Sequence, residues 1–300
     1  MTGMKIPRRD FFRKASAFVG TSAAFVFGEK AQPATPKIMA GSMPAGRLGN
    51  LEVSRLIGGH NLVGFPALAG EDLLADQLLQ TPVAEEKILE IFASYEKAGI
   101  NTAFLRVTAP MVKVARRYGT ERGGKLQWIA QLVVDERNPA RGIDIAMQLG
   151  VHAAYIRGME GDRYAPRQMD VLAKGVAVAK SCKIPIGLGG HNLETIMAAE
   201  AAGLPIDFYV KTFNNAKTSM SGENTLGETA EFFARVEKPW IAFRVVGPAR
   251  MSARDGFRYA FADGADFVSA GMFDFWIAEE ARLVRELFAG KLARPRPWRA

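Results

Sequence analysis

From residue 51 onward the hydrophobic positions come in short blocks. Runs rich in Val, Ile and Phe alternate with longer stretches whose apolar residues recur every three or four positions. A short unbroken apolar run suits a strand buried on both faces, and the longer period suits a helix with one buried stripe. The runs are 51–57, 101–105, 127–134, 153–156, 185–188, 208–210, 240–246 and 267–271. The helical stretches that follow them are 85–97, closed by Gly99 as a cap, then 111–118, 140–149, 166–181, 193–202, 227–236, 252–262 and 277–289. Eight strand–helix units in about 250 residues have the size and rhythm of a closed (β/α)8 TIM barrel, an α/β fold. An open doubly wound sheet would carry a glycine-rich phosphate turn early, and no Gly-x-Gly-x-x-Gly follows residues 51–57.

Composition agrees with one barrel over residues 47–290. A chain of 300 residues, 48% hydrophobic, can bury one large core without disulfides, and the lone Cys182 is expected to be an inert small hydrophobe ahead of the fifth strand. The net charge of +8 belongs to the ends. Residues 1–35 hold six Lys/Arg against two acids and residues 290–300 hold four Lys/Arg and no acid, which leaves 29 of each sign on the body. A nucleic-acid binder concentrates its bases on the fold, so nucleic acid is excluded as a partner. Residues 291–300 read as a basic Pro-rich tail, loose and extended around 294–298, and residues 31–46 read as a linker.

Residues 1–30 form a separate signal segment. Arg8-Arg9-Asp10-Phe11-Phe12-Arg13-Lys14, followed by a mildly apolar stretch at 17–28, resembles a twin-arginine translocation signal. That resemblance implies export of the folded protein to the periplasm or beyond, with the translocase as a partner through residues 8–14. No clean Ala-x-Ala follows, so an uncleaved signal would stay on as an anchor. The apolar stretch is about 12 residues, short of the roughly 20 a span needs.

The pentapeptide Gly-Gly-His-Asn-Leu occurs twice, at 58–62 and 189–193, each time where an apolar run ends. The two copies hold two of the three histidines and fall at the C-terminal ends of the first and fifth strands, where barrels of this kind place their chemistry. The same rim collects Asn61, Arg106, Gln131, Asp135, Arg157, Asn192, Lys211, Asn214, Arg244 and Asp274. Four cations beside His60 and His191 would focus a small polar or anionic molecule. Alternatively Arg106, Arg157 and Arg244 pair with Asp135, Glu160 and Asp274 as a structural network.

Three chemistries fit these residues. His60, His191 and Asp274 could hold a divalent metal, although they come from distant strands. His60 or His191 could act as a general base, with Arg157 or Lys211 stabilising an enolate-like intermediate in an isomerisation or elimination. Lys211 could form a Schiff base, because Tyr209-Val-Lys-Thr212 looks locally like class I aldolases. His152, Trp240, Phe243 and Tyr155 are expected to be structural, and the long apolar connection 63–82 reads as a lid over the mouth.

The segment from Gly46-Arg-Leu-Gly through Val53-Ser54 to Gly58-Gly59 resembles the opening of aldo-keto reductases. The likeness returns at Ala98-Gly-Ile-Asn101, at 189–193, and at 207–214, so it spans most of the chain in the right order. The resemblance implies the same barrel and a nicotinamide cofactor, NADP, contacted by Asn192 and stacked on Phe213. It fails at the family's Asp, Tyr, Lys, His tetrad, whose positions fall at Phe104, at Gln131 or Leu132, and at Arg157, with no tyrosine at the required spacing. The family's serine and glutamine become His191 and Val210. The expected function is therefore a non-reductive enzyme, of isomerase or lyase type, acting on a small carbohydrate-like or carboxylate substrate. The alternatives are an NADP-dependent oxidoreductase with a replaced proton donor, or a barrel that binds a ligand or partner without turnover.

Overall fold

The computed structural model describes residues 42–59, 82–139, 141–214, 224–246, 251–290 and 292–300, and all of them fall in one compact unit. An antiparallel hairpin comes first, β1 (Ala45–Leu48) and β2 (Leu51–Ser54). Gly49, at φ +61°, takes the first central position of its two-residue turn, where a side chain would be strained. Eight parallel strands then close into a barrel: β3 (Leu56–Gly58), β4 (Thr102–Arg106), β5 (Gln127–Leu132), β6 (Ala153–Ile156), β7 (Ile186–Gly190), β8 (Phe208–Thr212), β9 (Trp240–Phe243) and β10 (Phe267–Ala270), which pairs back onto β3. The helices are α1 (Pro82–Lys97), α2 (Ala109–Arg122), α3 (Ile143–Leu149), α4 (Gly158–Tyr164), α5 (Met169–Ser181), α6 (Leu193–Ala201), α7 (Leu226–Arg235), α8 (Ala253–Ala262) and α9 (Asp274–Ala289). The protein is a (β/α)8 TIM barrel.

Strand alternation sorts the core into two layers. Ile57, Phe104, Ile129, Tyr155, Phe208, Val210, Ile241 and Phe267 fill the interior, and Leu48 and Val53 of the hairpin close its N-terminal end. Their alternates, among them Leu105, Ile156, Leu188, Tyr209, Trp240 and Val268, pack outward against the helices. Trp240 stacks on Phe233 of α7 at 4.3 Å, a helix-packing role as expected. His152 is structural too: it joins β6 to β5 by accepting the Trp128 N–H on Nδ1 at 3.2 Å and donating its own N–H to the Trp128 carbonyl at 2.9 Å. Cys182 is half-buried at the end of α5.

Two element readings need correction. The stretch 51–57 is not one strand: it breaks at Arg55, whose guanidinium turns to the Asp266 carbonyl, so 51–54 joins the hairpin and only 56–58 joins the barrel. The stretch 166–181 begins at Met169 as α5, and a separate helix, α4, precedes it.

The tail is docked. Arg296 is 1% exposed and donates to the carbonyls of Phe233, Val236, Lys238 and Gly264 and, at 2.6 Å, to the carboxylate of fully buried Asp266. Trp298 covers Arg55 and Arg294, with guanidinium carbons 4.2 and 3.5 Å from its ring. Asp266 also accepts the Trp240 N–H and stands just before β10, so this network seals the N-terminal end of the barrel.

Candidate active site

At the opposite end, α4 lies directly on the tip of β7 because both are built from glycine where they meet. A Cβ on Gly161 would fall 2.0 Å from the Gly189 carbonyl oxygen, and one on Gly189 would fall 2.7 Å from the Gly158 nitrogen. This approach delivers Asp162, a residue the sequence pattern did not single out, to the turn after β7. Its carboxylate accepts the backbone N–H groups of His191 (2.9 Å) and Asn192 (3.2 Å), the Thr195 hydroxyl (2.6 Å) and the His191 ring at Nδ1 (2.7 Å). Asn192 is the N-cap of α6, so the carboxylate also sits at a helix N-terminus, where negative charge is favoured. Burial pushes the Asp162 carboxyl up, but the hydrogen bonds from His191 and Thr195 outweigh it and hold the group below its usual range.

An ionised Asp162 can only accept, so Nδ1 of His191 carries the hydrogen, and in the neutral ring the lone pair is on Nε2. The ring packs on Gly158, where a Cβ would come within 2.9 Å of it, and meets the Phe243 ring edge-on at 5.5 Å. Phe243, expected only as core, packs at the interior side of β9 and walls the histidine. The second Gly-Gly-His-Asn copy therefore positions a carboxylate-oriented imidazole at the C-terminal rim. In the first copy, His60 and Asn61 lie outside the described residues, as do residues 8–14 and all but the last residue of the 63–82 connection.

Lys211 is buried, and its ammonium donates to the carbonyls of His191 (2.7 Å) and Thr212 (2.8 Å). Burial lowers it to about 8, with Asp162 and Glu194 opposing. Its strand neighbours Tyr209 and Phe213 both pack in the outer layer, Tyr209 on Phe233 and Phe213 on Trp240, so Lys211 leaves β8 on the outer side. The lysine ties the ends of β7 and β8 together from behind the barrel wall. A Schiff-base nucleophile is needed on the inner side, which Thr212 occupies instead, in alternation with Phe208 and Val210.

The other expected rim residues divide. Arg106 and Gln131 are register partners on β4 and β5, and Gln131 hydrogen-bonds the Tyr155 hydroxyl, so Tyr155 is polar furniture of the mouth as well as core. Arg157 forms a two-pronged ion pair with buried Glu160 at 2.6 and 2.7 Å, as the structural-network alternative anticipated. Of the other carboxylates in that network, Asp135 accepts the backbone N–H groups of Arg137 and Asn138, and Asp274 pairs with Lys87 at 2.5 Å. Asn214 donates to the Arg244 carbonyl at 2.8 Å, which links the ends of β8 and β9.

The nicotinamide contact implied for Phe213 does not fit this arrangement. Phe213 is buried against Trp240 and offers no face on which a nicotinamide could stack, which corrects its expected role. Of the expected metal set, His60 lies outside the described residues and Asp274 pairs with Lys87; among the described residues no three His, Cys, Asp or Glu side chains gather as metal ligands.

Comparison with solved structures supports the fold. A protein from Pseudomona aeruginosa named as a candidate aldo-keto reductase superposes with a TM-score of 0.63 at 13% identity, covering 84% of this chain and 99% of its own. A truncated 3-deoxy-D-arabino-heptulosonate 7-phosphate synthase from Thermotoga maritima gives 0.53 at 14% identity, over 83% and 92%. An archaeal fructose-1,6-bisphosphate aldolase gives 0.50 at 16% identity, over 78% and 94%. All three are enzymes by name and distant in sequence, and what they share with this chain is the TIM-barrel fold. No family model and no curated protein sequence matches it.

Proposed function

We propose that the chain is an acid–base enzyme in which His191 moves a proton on a small oxygen-rich substrate, carbohydrate-like or carboxylate, in an isomerisation or elimination. The observation that carries this reading is the Asp162–His191 pair, 2.7 Å apart, at the C-terminal end of a (β/α)8 barrel. Nε2 takes a proton from carbon or hydroxyl next to a carbonyl. Asp162 stabilises the imidazolium that results and keeps its Nδ1–H in place, and His191 then returns the proton to the neighbouring atom. Charge that builds on the substrate oxygen meets donors from Arg106 and Gln131 at the same rim. Lys211 supports the geometry by holding the His191 carbonyl.

The test is exchange in heavy water, followed by proton NMR over a panel of aldoses, ketoses and the corresponding acids. The wild type should wash deuterium into a carbon-bound position of its substrate, and His191→Ala should slow this by about 10²–10⁴-fold. Asp162→Asn should also fail, because an amide can donate to Nδ1 and so moves the lone pair off Nε2. Exchange that survives His191→Ala unchanged would sink the reading. We extend the proposal to export through the twin-arginine route on the strength of the Arg8–Arg9 motif alone.

A further inference from the structure

Three buried polar atoms at the C-terminal end have no hydrogen-bond partner among the described residues, Thr108 Oγ1 after β4 and two others that stand on neighbouring strands. Thr212 is 2% exposed, faces the barrel interior from the last position of β8, and its Oγ1 is unpartnered. Arg244 directly follows β9, and its buried Nε is likewise unpartnered. Thr212 is in register with Phe243, the residue before Arg244, and Phe213 donates its N–H to the Phe243 carbonyl at 3.0 Å. The same Phe243 ring meets His191.

Arg244 has two further costs that packing does not explain. Its backbone is left-handed, with φ +57°, a conformation that disfavours any side chain and is found at functional sites when the surroundings enforce it. The enforcement is visible: Asn214 grips the Arg244 carbonyl, and a Cβ on Gly256 of α8 would lie 2.8 Å from the Val245 carbonyl oxygen. Burial also pulls the guanidinium down with no carboxylate to oppose it, and no ion pair is formed with any described residue. A partly desolvated guanidinium without an anion among the described residues, one strand over from an orphan hydroxyl, is an incomplete pairing that an oxyanion completes.

We propose that Thr212 and Arg244 form an oxyanion subsite beside His191 that anchors the carboxylate of a small hydroxy acid or sugar acid. The ligand is anionic because a neutral polyol would satisfy the hydroxyl but leave the guanidinium uncompensated. It is small because one ammonium, that of Lys211, reaches both the His191 and Thr212 carbonyls, so the anchor lies a few bonds from the proton that moves. The inference deepens the acid–base reading by naming the substrate class, and only the word substrate rests on that reading.

The experiment is calorimetric titration of the full chain with D-gluconate and with D-glucitol, which share a skeleton and differ in the carboxylate. The wild type should bind gluconate at millimolar concentration and glucitol much more weakly. Thr212→Val, which keeps the β-branched shape, and Arg244→Gly, which suits the backbone, should each weaken gluconate by about tenfold or more while melting no lower than wild type. Equal affinity for the two probes, no gluconate binding, or wild-type affinity in either variant overturns the subsite. Because the readout is binding, the two proposals fail separately: His191-dependent exchange without gluconate binding removes the subsite alone. Gluconate binding lost in both variants, in a protein showing no exchange, removes the acid–base reading alone.

Discussion

The two ends of the barrel each hold an aspartate in a hydrogen-bond network, Asp266 fully buried and Asp162 half-buried, and they treat it differently. Asp266, at the N-terminal end, is ringed by Arg296 and Arg294 and by the N–H groups of Trp240 and Arg299, and the arginines spend their remaining donors on carbonyls. The one buried side-chain atom left unpartnered there among the described residues, Arg55 Nε, belongs to a guanidinium lying 5.1 Å from the Phe267 ring and 4.2 Å from Trp298. Asp162, at the C-terminal end, has an imidazole as its partner, and around it the mouth leaves Thr212 Oγ1 and Arg244 Nε unanswered. Charge that the chain completes by itself serves the fold, and charge left incomplete is available to a ligand.

The sharpest way to break that contrast is to empty both aspartates. Asp266→Ala leaves Arg296, 1% exposed, without its counter-ion, and should cost about 3–5 kcal/mol in urea denaturation. Asp162→Asn keeps the acceptor oxygen for Thr195 and the backbone donors, and should cost far less stability while abolishing exchange. If the two substitutions destabilise equally, the division between a structural and a functional end is wrong.

Next in size is a second incomplete spot, behind the first Gly-Gly pair. Tyr95 of α1 packs its ring where a Cβ on Gly58 would lie 2.5 Å away, and its hydroxyl is unpartnered, as is Oε2 of buried Glu280 on α9. Burial pushes Glu280 from 4.5 up to about 7, so the folded state holds its proton through a range in which the unfolded chain has lost it. Stability should therefore fall as pH rises from about 4.5 to about 7 and level off above. Glu280→Gln should leave stability unchanged below that range and add about 2–3 kcal/mol above neutrality, read from melting curves across pH. A flat difference across pH would show that Glu280 ionises freely.

The barrel was legible because its strands are buried on both faces and read as unbroken apolar runs, and seven of the eight fell within a few residues of their place. The site was legible only in part. His191 stood out by the repeat, but its partner lies on α4, whose Gly-Met-Glu-Gly-Asp sequence looks like a loop. Those glycines are there for a contact with β7 that is distant in sequence, and propensity cannot report it. Lys211 was recognised as chemistry-bearing, yet the apolar run at β8 hid which of its faces looks inward. The tail failed for the same kind of reason: Arg294 and Arg296 look solvated until Asp266, some thirty residues earlier, is seen to hold them.

The smallest effect separates the two ends most cleanly, because among the described residues the same backbone strain occurs once at each. Lys183, at φ +59°, follows α5 at the N-terminal end, where its N–H closes the helix on the Lys180 carbonyl, and Arg244 has φ +57° at the C-terminal end. Glycine relieves a left-handed residue by about 1–2 kcal/mol but loosens the unfolded chain by about 0.4–1 kcal/mol. Lys183→Gly and Arg244→Gly should thus each raise stability by roughly 0.5–1 kcal/mol. Lys183 uses its strain to end a helix, so its replacement should leave gluconate affinity untouched. At Arg244 the strain holds a side chain that no described residue completes, and its relief should weaken binding as it raises the melting temperature. Matching gains in stability with opposite outcomes in binding would assign the strain at one end to folding and at the other to function.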